Sequence, residues 1–323
     1  MPIARRALLG AGAALPLLPA LPAAAHHDNE RAHAQAPGFY RFTLGRFTIT
    51  VVSDGQAVRA DPIGGFVVNV PPEQVEQAFR QAHLPLKNLV SPFAPTVVET
   101  GTETILFDTG TGGQLVPSAG FLPRNLEASG YTLADIDRVV ITHFHGDHIS
   151  GLTTKEGTAV FAKAPILVPE AEWAWWMDQG NVTRTPEAQR GNFANAGRRF
   201  APYAGRVQKL KDGEEIAPGL RAVAAYGHTP GHMAYHLADG KDQLFIMGDC
   251  ANRPEIFLAH PDWHFVFDVD GPMAAETRRR LFGRAADEGA RVIGHHFPFP
   301  SNGTVVREGD AFRYVPADWS SAV

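Results

Sequence analysis

Residues 142–148 read THFHGDH, three histidines and an aspartate within seven positions, behind the apolar run IDRVVI and ahead of the small-residue stretch ISGL. On a helix, His143 and His145 would point roughly 200° apart, because successive residues rotate by about 100°. In an extended loop they point to the same side. Gly146 then permits a sharp turn, and Asp147 and His148 follow where a helix begins. Such a segment leaves a buried strand, crosses an open loop and turns into a helix. Two imidazoles can hold one metal there, and Asp147 and His148 can hold a second nearby. Imidazole and carboxylate without thiolate suit zinc, with manganese, iron or cobalt as alternatives.

Two metals need more ligands than these four. Downstream, three further apolar runs end in polar clusters: GHTPGH offers His228 and His232, IMGDC offers Asp249, and VIGHHFPFP offers His295 and His296. Strand ends at the edge of a sheet are where functional groups gather. The rest of the chain alternates strand and helix patterns. FYRFTLGRFTITVVSDG reads as a hairpin about Gly45, and TVVETGTETILFDTG as another through Gly101. LPRNLEASG, EAEWAWWMDQG, PEAQRGNFANAGRRF and GPMAAETRRRLFGRAADEG read as helices, the last with Pro272 near its start and Gly289 past its end. LRAVAAYG, MAYHLAD, QLFIMGD and RVIG read as strands. This pattern predicts one α/β domain of two sheets flanked by helices.

Composition narrows the function classes. The chain has 323 residues, 44% hydrophobic and 20% charged, with a net charge of −5 and no Lys/Arg block, which argues against a nucleic-acid partner. A single cysteine, Cys250, excludes an internal disulfide and a cysteine zinc cage. It reads as a packed apolar residue. Residues 1–25 carry Arg5 and Arg6 before an Ala/Leu/Gly/Pro run ending in AAA, the composition of a signal peptide cleaved after Ala25. The arginine pair followed by Ala-Leu-Leu resembles a twin-arginine export signal. Residues 26–37 then form a linker, and 38–323 the folded domain. The apolar run is short and broken by prolines, so no stable membrane insertion is expected. The expected location is periplasmic or secreted, with the twin-arginine export machinery as a transient partner.

The set THFHGDH, GHTPGH, GDC and GHHFPFP, in this order, resembles the metallo-beta-lactamase superfamily over nearly the whole mature chain. The resemblance implies a four-layer αββα sandwich with a dinuclear metal site along one edge. It implies that His143, His145 and His232 hold one metal, and that Asp147, His148 and His296 hold the other. Asp249 would bridge the two, opposite a bridging water or hydroxide, which makes Asp147 and Asp249 the catalytic carboxylates. By the same resemblance His228 and His295 are the structural members of their pairs.

Within the superfamily, the segments GFLPRNLEASGYTLADIDRVVITHFHGDHISGL, EWAWWMDQ, GHTPGHMAYHL, FPFPSNG and HPDWHFVFDVDGPMAAETRRRLF resemble the methyl parathion hydrolase-like group of exported hydrolases. That resemblance implies a small-molecule substrate: aryl esters, aryl-fused lactones or organophosphate triesters. N-acyl homoserine lactonases share all seven ligands but carry a tyrosine three residues after the bridging aspartate, where this chain has Asn252. A mononuclear iron enzyme of the persulfide dioxygenase kind, with part of the same ligand set, is a further alternative. No general acid for the leaving group is visible, which favours phenols over alkoxides. Trp176 and Phe193 are placed as lining a pocket for a flat apolar group, with helix core as the alternative for both, and Trp173 is expected to sit in the core. A homodimer is compatible with the sequence.

Overall fold

The computed structural model describes residues 38–321 and 323, within a compact unit spanning Pro37–Val323. The leader and the 26–37 linker lie outside the described residues. The alternating stretch about Gly45 forms the antiparallel pair β1 (Phe39–Leu44) and β2 (Phe47–Val52), and Gly45 takes the left-handed φ of 54° that the tight turn needs. Three elements absent from the sequence reading follow: β3 (Gly55–Arg59), helix α1 (Pro72–Gln81) and β4 (Leu89–Phe93). β3 and β4 pair with each other as a small separate ribbon.

The second hairpin is β5 (Thr96–Glu99) and β6 (Thr104–Phe107). Next come α2 (Leu122–Ala128), β7 (Arg138–Val140), α3 (Gly146–Ile149), β8 (Ile166–Pro169), α4 (Glu170–Trp176), α5 (Gly191–Phe200) and β9 (Val207–Leu210). The second half contains β10 (Glu215–Ala217), β11 (Leu220–Ala224), β12 (Met233–Asp239), β13 (Asp242–Ile246), α6 (Pro254–Phe257), α7 (Gly271–Glu288), β14 (Arg291–Ile293), β15 (Asn302–Glu308) and β16 (Ala311–Pro316). Helix α7 has the ends its sequence announces. Asp270 accepts a hydrogen bond from Met273 N, and Gly289 closes it in the left-handed conformation.

The strands assemble into two seven-stranded sheets, β1-β2-β5-β6-β7-β8-β9 and β10-β11-β12-β13-β14-β15-β16. Period-two alternation gives each sheet two apolar faces. Val98, Ile105 and Phe107 face inward against Leu220, Tyr235 and Leu244 of the other sheet. Val97 and Leu106, one residue away, face outward under α2, α4 and α5 with Leu126, Trp176 and Phe200. On the other side Ala234, Phe245 and Val292 pack under α1, α6 and α7 with Phe79, Phe257 and Leu281. The result is the expected αββα sandwich. Strands β6 to β9 run parallel, as do β13 and β14, so the segments leaving their C-terminal ends gather at one edge. No helix among the described residues is long and apolar enough to cross a membrane.

Candidate metal centre and cleft

The histidine motif leaves β7 and is fixed by two buried carboxylates that sequence reasoning did not single out. Asp108, just past β6 with φ 59°, accepts Thr142 N and Thr142 Oγ1, each at 2.8 Å, and His148 Nδ1 at 2.8 Å. Glu172 on α4 is fully buried and accepts Phe144 N at 2.8 Å, Gly231 N at 2.8 Å and the Trp176 indole N–H at 2.7 Å. It thereby ties the motif to the GHTPGH loop. Burial pushes its carboxyl upward, opposed by these donors. The only sequence signal for Asp108 is its place in DTG behind a strand; Glu172 had none.

Three imidazoles converge on one carboxylate. His143 Nε2 lies 3.0 Å from His145 Nδ1, which lies 2.9 Å from His228 Nε2. Asp249 Oδ2 stands 4.0 Å from His143 Nε2 and 3.4 Å from His228 Nε2. The other ring nitrogens are engaged outward: His143 with Thr142 Oγ1, His145 with Gln189 Oε1, and His228 with Asp268 Oδ1 at 2.9 Å. These outward donations leave inward lone pairs, an assignment made from the hydrogen-bond network. Lone pairs that face one another at 3 Å are resolved by a cation or a proton between them. Burial, followed by the neighbouring histidines, holds His143 far below the usual imidazole range and His145 at about 3, so both are in the neutral form that binds metal.

A second group adjoins the first. His296 Nε2 lies 3.0 Å from Asp249 Oδ2 and 3.3 Å from Asp147 Oδ2. His148 Nε2 lies 3.4 Å from Asp249 Oδ1 and 3.7 Å from Asp147 Oδ2. His296 Nδ1 donates to Pro92 O at 2.9 Å, as His148 Nδ1 does to Asp108. His148 Nε2 and Asp249 Oδ1 are buried with no hydrogen-bond partner, orphaned atoms of the kind a metal satisfies. Burial is the largest single influence and opposes charge on His148 and His296, but the carboxylates of Asp249 and Asp147, joined by Asp108 at His148, together outweigh it and raise both rings, His296 to about 10. Burial also opposes charge on Asp249, and the His296 and His148 rings overcome it to hold the carboxyl well below its usual range. Asp249 touches both groups, the position of a bridge. The donor set and its orphaned atoms fit two divalent cations.

Of the residues expected as ligands, the structure brings together His143, His145, Asp147, His148, Asp249 and His296. It does not bring His232. That ring donates from Nδ1 to Ala225 O at 3.0 Å and accepts Asp249 N at Nε2, also at 3.0 Å, so both nitrogens are occupied. His228 stands in the place expected for His232. In the other pair His295 lies behind the cluster, its ring 4.0 Å from that of His148 and its Nδ1 3.9 Å from Asp108 Oδ2.

A cleft of about 480 Å³ opens over this floor. Its walls include Phe66, Phe93, Leu115, Phe265 and Phe267, with Asn252 beside Asp249. Trp176 and Phe193, expected here, are instead core residues at 0% and 3% exposure, with ring centroids 4.8 Å apart under the first sheet. Trp176 is drawn inward because its N–H is bonded to the buried Glu172. The wall comes from the β3–β4 ribbon, the loop between β3 and α1, the loop between β6 and α2, and the loop between α6 and α7. Asp268 links that loop to the floor by bonding both His228 Nδ1 and the Phe265 N–H.

Comparison with known proteins agrees with this fold. The family model described as the metallo-beta-lactamase superfamily matches residues 95–309. A probable metallo-hydrolase of Mycobacterium tuberculosis is 28% identical over 223 residues, covering 62% of this chain and 68% of its own length. The crystal structure of the hydrolase AbOPH, in the beta lactamase superfamily, superposes with a TM-score of 0.83 at 26% identity, over 89% of this chain and all of that one. AidC, a dizinc quorum-quenching lactonase in complex with a homoserine product, shares the fold with a TM-score of 0.83 at 23% identity, over 88% of this chain and 99% of its own. With some two thirds of its length matched by the family model and its histidines and carboxylates gathered at one sheet edge, the chain belongs to the metallo-beta-lactamase superfamily.

Proposed function

We propose that this metal-dependent hydrolase is an exported enzyme of the methyl parathion hydrolase-like group, acting on aryl esters, aryl lactones and organophosphate triesters. The observation that carries the substrate class is the cleft's lining. It joins an aromatic wall to the candidate metal floor and contains no Lys, Tyr, Cys or Glu. Two divalent cations on that floor would supply Lewis-acid polarisation of a carbonyl or phosphoryl oxygen and a water of lowered pKa. The chain's own residues do the rest. Asp249 and Asp147 supply the negative charge, while Asp108 and Asp268 fix the rings of His148 and His228 through their outer nitrogens. Phe66, Phe93 and Phe265 keep water from the floor and receive a flat apolar group. Asn252, where lactonases carry tyrosine, offers an amide that can donate a hydrogen bond but does not give up a proton. Leaving groups that depart without protonation are therefore preferred.

Substituted phenyl esters test this. Log(kcat/KM) should fall as the pKa of the departing phenol rises, with dihydrocoumarin a good substrate and acyl homoserine lactones slower. A flat plot together with preference for the homoserine lactone overturns the reading in favour of a quorum-quenching lactonase. One iron per chain with no ester hydrolysis points instead to the oxygenase alternative. Export is supported by Arg5, Arg6 and the apolar run to Ala25. Lysine at both positions should leave uncleaved precursor in the cytoplasm, and unchanged secretion would replace the twin-arginine route with the general one.

A further inference from the structure

The cleft wall carries one guanidinium. In the β3–β4 ribbon, Ala57 pairs with Ser91 and Arg59 with Leu89. Ser91 Oγ lies 3.3 Å from His296 Nδ1, so this end of the ribbon abuts the metal floor. Burial alternates along β3: Ala57 and Arg59 are half-buried, Gln56 and Val58 exposed. Residues two apart share a face of a strand. Arg59 thus stands on the face of Ala57, on the order of 7 Å further from the floor at the usual rise per strand residue, and it lines the cleft.

The side chain is held in place, and the nearby Asp61 carboxylate offsets its burial only in part and without an ion pair. Nη2 donates to Gly65 O at 2.9 Å, Nε donates to Asp61 O at 3.2 Å, and the guanidinium lies 5.6 Å from the Phe66 ring centroid. Both anchors are backbone carbonyls. The Asp61 carboxylate instead accepts the amides of Ile63 and Gly64, and Arg59 forms no ion pair among the described residues. A fixed, half-desolvated cation among aromatic side chains is poorly compensated until an anion arrives. A planar guanidinium with free N–H groups then matches a carboxylate. The remaining charged groups of the cleft, Asp147 and Asp249 with the histidines, sit on the floor.

We propose that Arg59 is a specificity residue that binds a carboxylate carried on the part of the substrate remote from the scissile bond. This rests on the hydrolase reading above. The substrate class becomes aryl esters or lactones bearing an acidic group on the part of the molecule that reaches past Ala57 to Arg59.

Two matched ester pairs test it on the metal-loaded protein: mono-4-nitrophenyl adipate against 4-nitrophenyl hexanoate, and 4-carboxyphenyl hexanoate against 4-carbamoylphenyl hexanoate. In at least one pair the acidic member should be preferred about tenfold in kcat/KM, through KM. Arg59→Met should abolish that preference, and Arg59→Lys should restore part of it. A loss of folding would lower both members together and leave the ratio intact. Calorimetry with the uncleaved analogues adipic acid monoanilide and hexananilide reads binding alone. If no ester is cleaved but the acidic anilide binds about tenfold tighter and Arg59→Met removes the difference, the hydrolase reading fails and the anion site stands. If esters are cleaved but neither ratio responds to Arg59→Met, the anion site fails and the hydrolase reading stands. Tighter binding of the acidic anilide that survives Arg59→Met means that its carboxylate sits on the metals, and this too overturns the proposal.

Discussion

GHTPGH and GHHFPFP each carry two histidines beside the same cluster, and the fold turns opposite members inward. In the first segment His228 faces the cluster and His232 does not; in the second His296 faces it and His295 lies behind. Position in the motif does not separate them. The outward hydrogen bonds do. His228 Nδ1 is taken by Asp268 and His296 Nδ1 by Pro92 O, which aims each Nε2 at Asp249. His232 uses Nδ1 on Ala225 O and Nε2 on the amide of Asp249 itself. It positions the backbone of the candidate bridge rather than a metal. In His228 and His296 one nitrogen is anchored outside the cluster and the other meets the Asp249 carboxylate.

Alanine substitution breaks or sharpens this contrast. The largest effects are expected at the inward members. His228→Ala and His296→Ala should each lose about one metal per chain and lower kcat/KM by more than about a hundredfold, beyond the scale seen when only an outer partner of a ligand is removed. His232→Ala should keep its metals at saturating zinc. It should melt earlier, by an amount equivalent to about 1–3 kcal/mol, because the Asp249 amide and Ala225 carbonyl lose a buried partner. His295→Ala should cost less in metal than His296→Ala. Metal analysis beside thermal melts reads both quantities, and a variant at His232 that loses metal while one at His228 keeps it would reverse the assignment of the first pair.

The smallest effects on activity are expected where the aromatic residues differ. Phe267, 42% exposed at the cleft, should control binding: Phe267→Ala should raise KM for phenyl esters by about three- to tenfold, the loss of one aromatic contact. Trp176→Phe removes a buried bond to Glu172 and should lower the melting temperature while leaving the ranking of substrates unchanged. A changed ranking with an unchanged melt would return Trp176 to the cleft.

Much of the frame is legible locally. The hairpin about Gly45, the strand that ends at Val140 and the turn into α3 follow from periodicity and from one glycine in a seven-residue motif. The β3–β4 ribbon is not, because its strands are separated by α1 and meet only through long-range pairing. The same holds for the carboxylates that tune the centre. Asp108 reaches Thr142 across 34 residues, Glu172 reaches Phe144 across 28, and Asp268 reaches His228 across 40.

The sequence by itself determined the donor chemistry, the order of the motifs along the chain and the strand ends that present them, because these depend on residue type and short-range period. Tertiary structure alone decided that His228 rather than His232 faces Asp249, which aromatic residues wall the cleft and that Arg59 stands among them. Each of those outcomes is set by a hydrogen-bond or packing partner far away in the chain, and local pattern holds no record of which partner will arrive.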